Sequence, residues 1–182
     1  VELTRQLVTE PFAAITDRGA RLLPVLGNHD YRSGEQQQIL NQLGRTNSWY
    51  AEQVGPIRIV VLDSTLVMEE EQTAWLRKKL GEAQPPGSWT VVAMHHPAYS
   101  AGSHGSDLAI RDTWSPIFAE AGVPLVLAGH DHDYQRSTPQ DGVTYIVSGA
   151  GAKLRPVGYQ EFTAFGSSTL HYLDLLVFKD RL

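Results

Sequence analysis

Three short polar clusters hold most of the side chains able to bind a metal ion or move a proton: Gly27-Asn28-His29-Asp30, His95-His96-Pro97 and Gly129-His130-Asp131-His132. Five of the seven histidines fall within them. Taken singly, each cluster has an ordinary reading: Gly-Asn suits a tight turn, and a lone histidine at a strand end is commonly a satisfied buried residue. Together they resist that reading, because each follows an apolar run. Residues two apart in an extended segment project to one side, so His130 and His132 can aim at one pocket. The chain contains no cysteine, which excludes thiolate metal sites and cysteine nucleophiles. Imidazole, amide and carboxylate donors without sulfur suit Mn, Fe, Zn or Co and do not choose among them. Ser100 and Ser103 stand in no Gly-x-Ser-x-Gly frame and read as solvated loop residues rather than nucleophiles.

Something rigid must position these clusters, and in layered α/β proteins strand ends do so. The apolar runs 22–26, 89–94 and 124–128 read as the three strands, with Pro24 moving the first toward a strand start or a sheet edge. A helix is expected over 2–18 from the spacing of Leu3, Leu7, Val8, Phe12 and Ile15, kinked or broken at Pro11 and stopped by Gly19. A polar helix follows over 35–43, then a hairpin of 49–54 and 57–62 around Gly55-Pro56. Trp75, Leu76 and Leu80 share a face of a helix over 69–80, whose leading Glu69-Glu70-Glu71 complements the helix dipole better than it suggests a cation site. A helix over 107–121, interrupted near Pro116, and strands over 143–147 and 169–178 complete the pattern. Alternating strands and helices with a hairpin included predict an α/β layered sandwich of mixed sheets flanked by helices.

Composition narrows the function. With 182 residues the chain suits one domain, and its net charge of −5 argues against a nucleic-acid domain, whose affinity would come from clustered Lys and Arg. No apolar run approaches the roughly 20 residues of a membrane span. The first residues, Val1-Glu2-Leu3-Thr4-Arg5-Gln6, carry neither a Met nor a signal pattern and read as the middle of a gene product. Compartment and oligomeric state are open.

Asn-His-Asp after a glycine, Met-His-His-Pro at a strand end and Gly-His-x-His, in that order and spacing, resemble the calcineurin-like metallophosphoesterase superfamily. The run Gly129-His130-Asp131-His132-Asp133-Tyr134-Gln135-Arg136 is most similar to the purple acid phosphatase branch and its bacterial relatives. The loop His95-His96-Pro97-Ala98-Tyr99-Ser100-Ala101-Gly102 and the helical Gln72-Thr73-Ala74-Trp75-Leu76 point the same way. The resemblance covers roughly residues 20–150. It implies a phosphoesterase with a dinuclear centre of divalent or trivalent metal ions, acting on a phosphorylated substrate. By position, Asn28, His95 and His130 match the ligands of one metal and His132 a ligand of the other. His29 matches the histidine that contacts the phosphoryl group and protonates the leaving oxygen, with Asp30 orienting it. His104, nine residues after His95, falls near a substrate-contacting histidine, although a plain exposed loop residue fits it equally. His96 reads as a packing residue behind the ligands and His171 as structural.

The departure from the family pattern is at the front. An Asp-x-His or Asp-x-Gly strand and a Gly-Asp-x-x-(Asp/Tyr) segment should precede Gly27 and supply most ligands of one metal and the carboxylate that bridges both. The 26 residues before Gly27 hold Glu2, Glu10 and Asp17 but no His and no Gly-Asp. The expectation is therefore a single metallophosphoesterase-like domain lacking its first βαβ portion, with truncation the simplest explanation and loss in evolution the second. Its site would be incomplete. The alternative is a fold kept as a non-catalytic scaffold or protein-binding module.

Overall fold

A computed structural model describes residues 4–182. Seven strands, β1 (Tyr50–Val54), β2 (Ile57–Val61), β3 (Trp89–Ala93), β4 (Leu125–Ala128), β5 (Tyr134–Ser137), β6 (Thr144–Ser148) and β7 (Thr163–Ser167), join in one sheet. Their spatial order is β1-β2-β3-β4-β6-β5-β7. The centre, β2-β3-β4-β6, is parallel, while β1 at one edge and β5 at the other run against it, and β7 pairs antiparallel with β5. The mixed α/β layering expected from sequence is what forms.

The register explains which face is sealed. Val60, Val92, Val126 and Tyr145 are paired side by side across four strands and all are buried. They pack on Leu76 and Leu80 of α4 (Glu70–Gly81), Ile110 of α5 (Leu108–Thr113) and Ile117 and Phe118 of α6 (Ser115–Glu120). Trp114, wholly buried between α5 and α6, donates its Nε1–H to Thr73 Oγ1 at 2.9 Å, so α4 and α6 are tied by a polar bond inside an apolar layer. Truncating such a side chain to alanine costs about 3–5 kcal/mol. Glu70 and Glu71 begin α4 and Lys78 and Lys79 end it, as the dipole favours. Buried Arg58 of β2 then donates to the last carbonyls, Lys79 O at 2.8 Å and Glu82 O at 3.3 Å, which fixes the helix end on the sheet.

The predicted hairpin, the helices at 36–42 (α3, Gln36–Gln42) and 70–81, and the strands after 89, 124 and 143 all form. So does the break near Pro116, where α5 ends and α6 begins with proline in its first turn. The N-terminal helix starts as a π-helical turn, Arg5–Thr9, and becomes α1 (Glu10–Thr16) just before Pro11, with Gly19 at φ +94° after it; Leu3 lies outside the described residues.

Three expectations need correction. Residues 22–26 are not a strand; the segment has no ladder partner among the described residues, and Tyr50 instead donates its hydroxyl to Pro24 O at 2.8 Å. Residues 169–178 are not a strand either, because β7 already occupies the free edge of β5. The segment is held through its backbone ends, with His171 N–H on Ala150 O at 3.2 Å and Trp89 Nε1–H on Phe178 O at 2.8 Å. Strands β5 and β7 were not anticipated, since polar Gln135, Arg136 and Ser137 gave no apolar alternation.

Candidate metal centre

The three clusters meet at the C-terminal ends of β3 and β4 and at the start of α2 (Asn28–Ser33), a short helix that replaces the expected turn. His95 follows β3 and His130 follows β4, and Gly129 N–H to His95 O at 3.0 Å holds the two strand ends in step. Gly27 lets the third element approach: a Cβ there would sit 2.7 Å from the His95 ring. His130 adopts φ +69°, a left-handed conformation uncommon outside glycine, which turns its imidazole back over the sheet end.

The outcome is convergence. His95 Nε2 lies 3.0 Å from Asn28 Oδ1 and 3.1 Å from His130 Nδ1. One proton on His95 Nε2 cannot satisfy both neighbours, and Asn28 Oδ1 can only accept. Donor atoms bound to one ion at about 2.0–2.1 Å stand about 3 Å apart, so the trio fits a cation better than it fits a hydrogen-bond network. Burial, reinforced by the neighbouring imidazoles, pushes the His95 pKa down to about 3 and that of His130 to about 4, which keeps both lone pairs available at neutral pH. Nδ1 of His132 is buried without a hydrogen-bond partner, as a ring held for something outside the chain would be. Desolvation lowers the His132 and His96 pKa values as well.

The remaining candidates are placed less uniformly. His104 is brought in: its ring centroid is 4.4 Å from that of His130. His29, on α2, is exposed. Asp30 does not touch His29; its carboxylate accepts from Gly27 N–H at 2.8 Å and caps α2, because successive helical residues diverge by about 100°. His96 proves closer to the centre than a packing residue behind it, its ring 4.8 Å from His95 and 4.6 Å from His130, with Nδ1 against Ser64 Oγ at 2.9 Å. His95, His96 and His130 together form a group able to hold a cation, and among the described residues no carboxylate joins that group. His171 bonds Ser148 Oγ and Thr169 O, the structural role expected of it.

Sequence reasoning missed Asp131. Fully buried, it accepts from Ser100 Oγ at 2.5 Å and His104 N–H at 2.8 Å, and Gln135 reaches the same hydroxyl at 2.9 Å. Ser100 is thus a buried strut and not a solvated loop residue. Gly102 has no room for a side chain against Asp131. The residue between the two histidines therefore fastens the His104 loop over the centre. Only its place in the motif hinted at this.

The chain matches the family model for calcineurin-like phosphoesterase over residues 3–134. It belongs to that family. Among curated calcineurin-like phosphoesterase relatives, it is 35% identical over 102 residues to tartrate-resistant acid phosphatase type 5 of Rattus norvegicus, covering 56% of this chain and 31% of that protein. The chain therefore spans under a third of that relative's length. In fold it is similar to the purple acid phosphatase PPD1 from yellow lupin (Lupinus luteus) seeds, with a TM-score of 0.64, 18% identity and coverage of 69% of this chain and 27% of the other. It is likewise similar to GAP50, the anchor in the inner membrane complex of Plasmodium, at TM-score 0.66 and 20% identity, covering 82% and 57%. Among the described residues of this calcineurin-like phosphoesterase, no helix is long and apolar enough to cross a membrane.

Proposed function

We propose that the chain is part of a metal-dependent phosphoesterase, with Asn28, His95 and His130 holding one ion and His132 contributing to a second. The convergence of Asn28 Oδ1 and His130 Nδ1 on His95 Nε2, at 3.0 and 3.1 Å, carries this reading. Bound there, Mn, Fe, Zn or Co ions would polarise a phosphate ester and supply a nucleophile from water. The chain's own side chains orient and move protons. His29, exposed on α2, protonates the leaving oxygen, and Asp30 holds the start of that helix in place. His104, its N–H fixed by Asp131 and its ring beside that of His130, contacts the phosphoryl group.

We place the bridging carboxylate outside these 182 residues, in a preceding segment of a longer single-domain protein. Two cations side by side repel, and a shared carboxylate offsets that repulsion. The chain alone should then hold one ion or none and turn over poorly. Metal analysis together with hydrolysis of an aryl phosphate tests this: two ions per chain with robust hydrolysis overturns the incompleteness. A longer gene product that neither binds metal nor hydrolyses the ester overturns the function. In that longer protein, His29→Ala should reduce turnover about 10²–10⁴-fold while leaving metal content intact. A second reading, a scaffold without catalysis, is favoured by the absence of a carboxylate from the histidine group among the described residues. Intact hydrolysis by the longer product excludes it.

A further inference from the structure

The loop from Gly149 to Gly158, between β6 and β7, is strapped to the centre at three points. Gly149 N–H bonds Asp133 O at 3.2 Å, Arg155 N–H bonds His132 O at 2.9 Å, and Gly158 N–H bonds Ala101 O at 2.8 Å. The first and last contacts demand glycine: a Cβ on Gly149 would overlap the Asp131 carbonyl, and one on Gly158 would lie 2.8 Å from Ala101 O. The loop thus spans from the His132 segment to the His104 loop and carries two cations, Lys153 and Arg155.

Neither cation takes part in an ion pair among the described residues. Arg155 is half-buried, and its Nε is shut off from solvent with no hydrogen-bond partner. A buried, unpaired guanidinium nitrogen is destabilising unless something accepts its proton. The backbone bond from Arg155 N–H to His132 O at 2.9 Å sets Arg155 beside the His132 segment, with Lys153 two residues before it. In a chain of net charge −5, two unneutralised cations beside a phosphoester site are placed for an anion.

We propose that Lys153 and Arg155 form a second anion subsite beside His132, so that the substrate carries a further negative group next to its scissile phosphate. This rests on the phosphoesterase reading and narrows it to polyanionic esters, such as those bearing a second phosphate or a carboxylate. Arg155 recognises a phosphate or carboxylate through its fixed fork of donors, while Lys153, exposed, adds a mobile point charge.

The test compares inorganic pyrophosphate with orthophosphate binding to the 182-residue chain, by calorimetry and by amide shifts of Arg155 and Gly158, with and without added Mn²⁺. Pyrophosphate should bind about tenfold more tightly, as one extra charge-assisted contact allows. Lys153→Gln, on an exposed residue that leaves packing untouched, should remove part of that preference, and adding Arg155→Gln should remove the rest. Equal affinity for the two anions, or a preference unchanged in Lys153→Gln, overturns the proposal. Phenyl phosphate hydrolysis by the longer gene product separates the two readings. Hydrolysis without a pyrophosphate preference overturns the subsite alone. The preference without hydrolysis supports the subsite and overturns the phosphoesterase reading.

Discussion

On one side of the centre, His95 Nε2 lies 3.0 Å from Asn28 Oδ1 and 3.1 Å from His130 Nδ1, three uncharged donor atoms gathered at the ends of β3 and β4. On the other side, His132 Nδ1 is buried with no hydrogen-bond partner among the described residues, and its carbonyl accepts from the N–H of Arg155, two residues after Lys153. The first side is a ready cation trap, because burial keeps its imidazoles neutral. The second side favours anions. The contrast teaches that rigidity and charge are divided across the centre: strand ends set the candidate metal ligands, and loops set what approaches them.

The sharpest way to break this contrast is to remove one ligand from each side. His95→Ala should weaken Mn²⁺ or Zn²⁺ binding by about 100-fold or more, since even supporting contacts to metal ligands are worth 10–100-fold. His132→Ala should leave the first ion's affinity nearly unchanged. Equilibrium dialysis reads both, and equal losses would merge the two sides into one site. Next in size, Gly27→Ala should weaken the same ion about tenfold by pushing the His95 ring out of line, without touching any ligand.

Acid should act on the first side before the sealed layer. Folded-state pKa values of about 3 for His95 and about 4 for His130 lie below the unfolded value of 6.5. The unfolded chain therefore binds more protons below pH 6.5. The metal-free protein should keep its full stability above that pH and lose it progressively as pH falls from 6.5 toward 3. A His95→Gln/His130→Gln variant should show a shallower loss in urea titrations across pH 4–7. Identical slopes would mean that burial does not hold these rings neutral. The smallest effect belongs to the loop: Asp131→Asn, weakening bonds to Ser100 and His104, should destabilise by about 1–3 kcal/mol. Amide exchange should accelerate at Gly102–His104 while Val92 and Val126 stay protected.

Local chemistry was legible in the sequence and long-range placement was not. The Gly55-Pro56 hairpin, the acid-to-base polarity of α4 and the three histidine clusters each announce themselves within a few residues. Sheet edges do not. Residues 169–178 have strand-like composition, but a strand also needs a free neighbour, and β7 had taken it. Asp30 looked like a partner for His29 because it is adjacent, whereas helix geometry turned it back to cap Gly27. Asp131, Lys153 and Arg155 escaped notice for the same reason in reverse. Asp131 and Arg155 reach partners up to 31 residues away, as Ser100 is from Asp131, and no spacing rule reaches so far.

The backbone at His130 has one further consequence. Holding an L-residue at φ +69° costs about 1–2 kcal/mol that glycine would not incur. His130→Gly should therefore release that strain, offset in part by glycine's larger entropy loss on folding, as it removes a proposed metal ligand. Durability and chemistry compete at this one peptide. Selecting variants for thermal resistance alone would drift toward erasing the site.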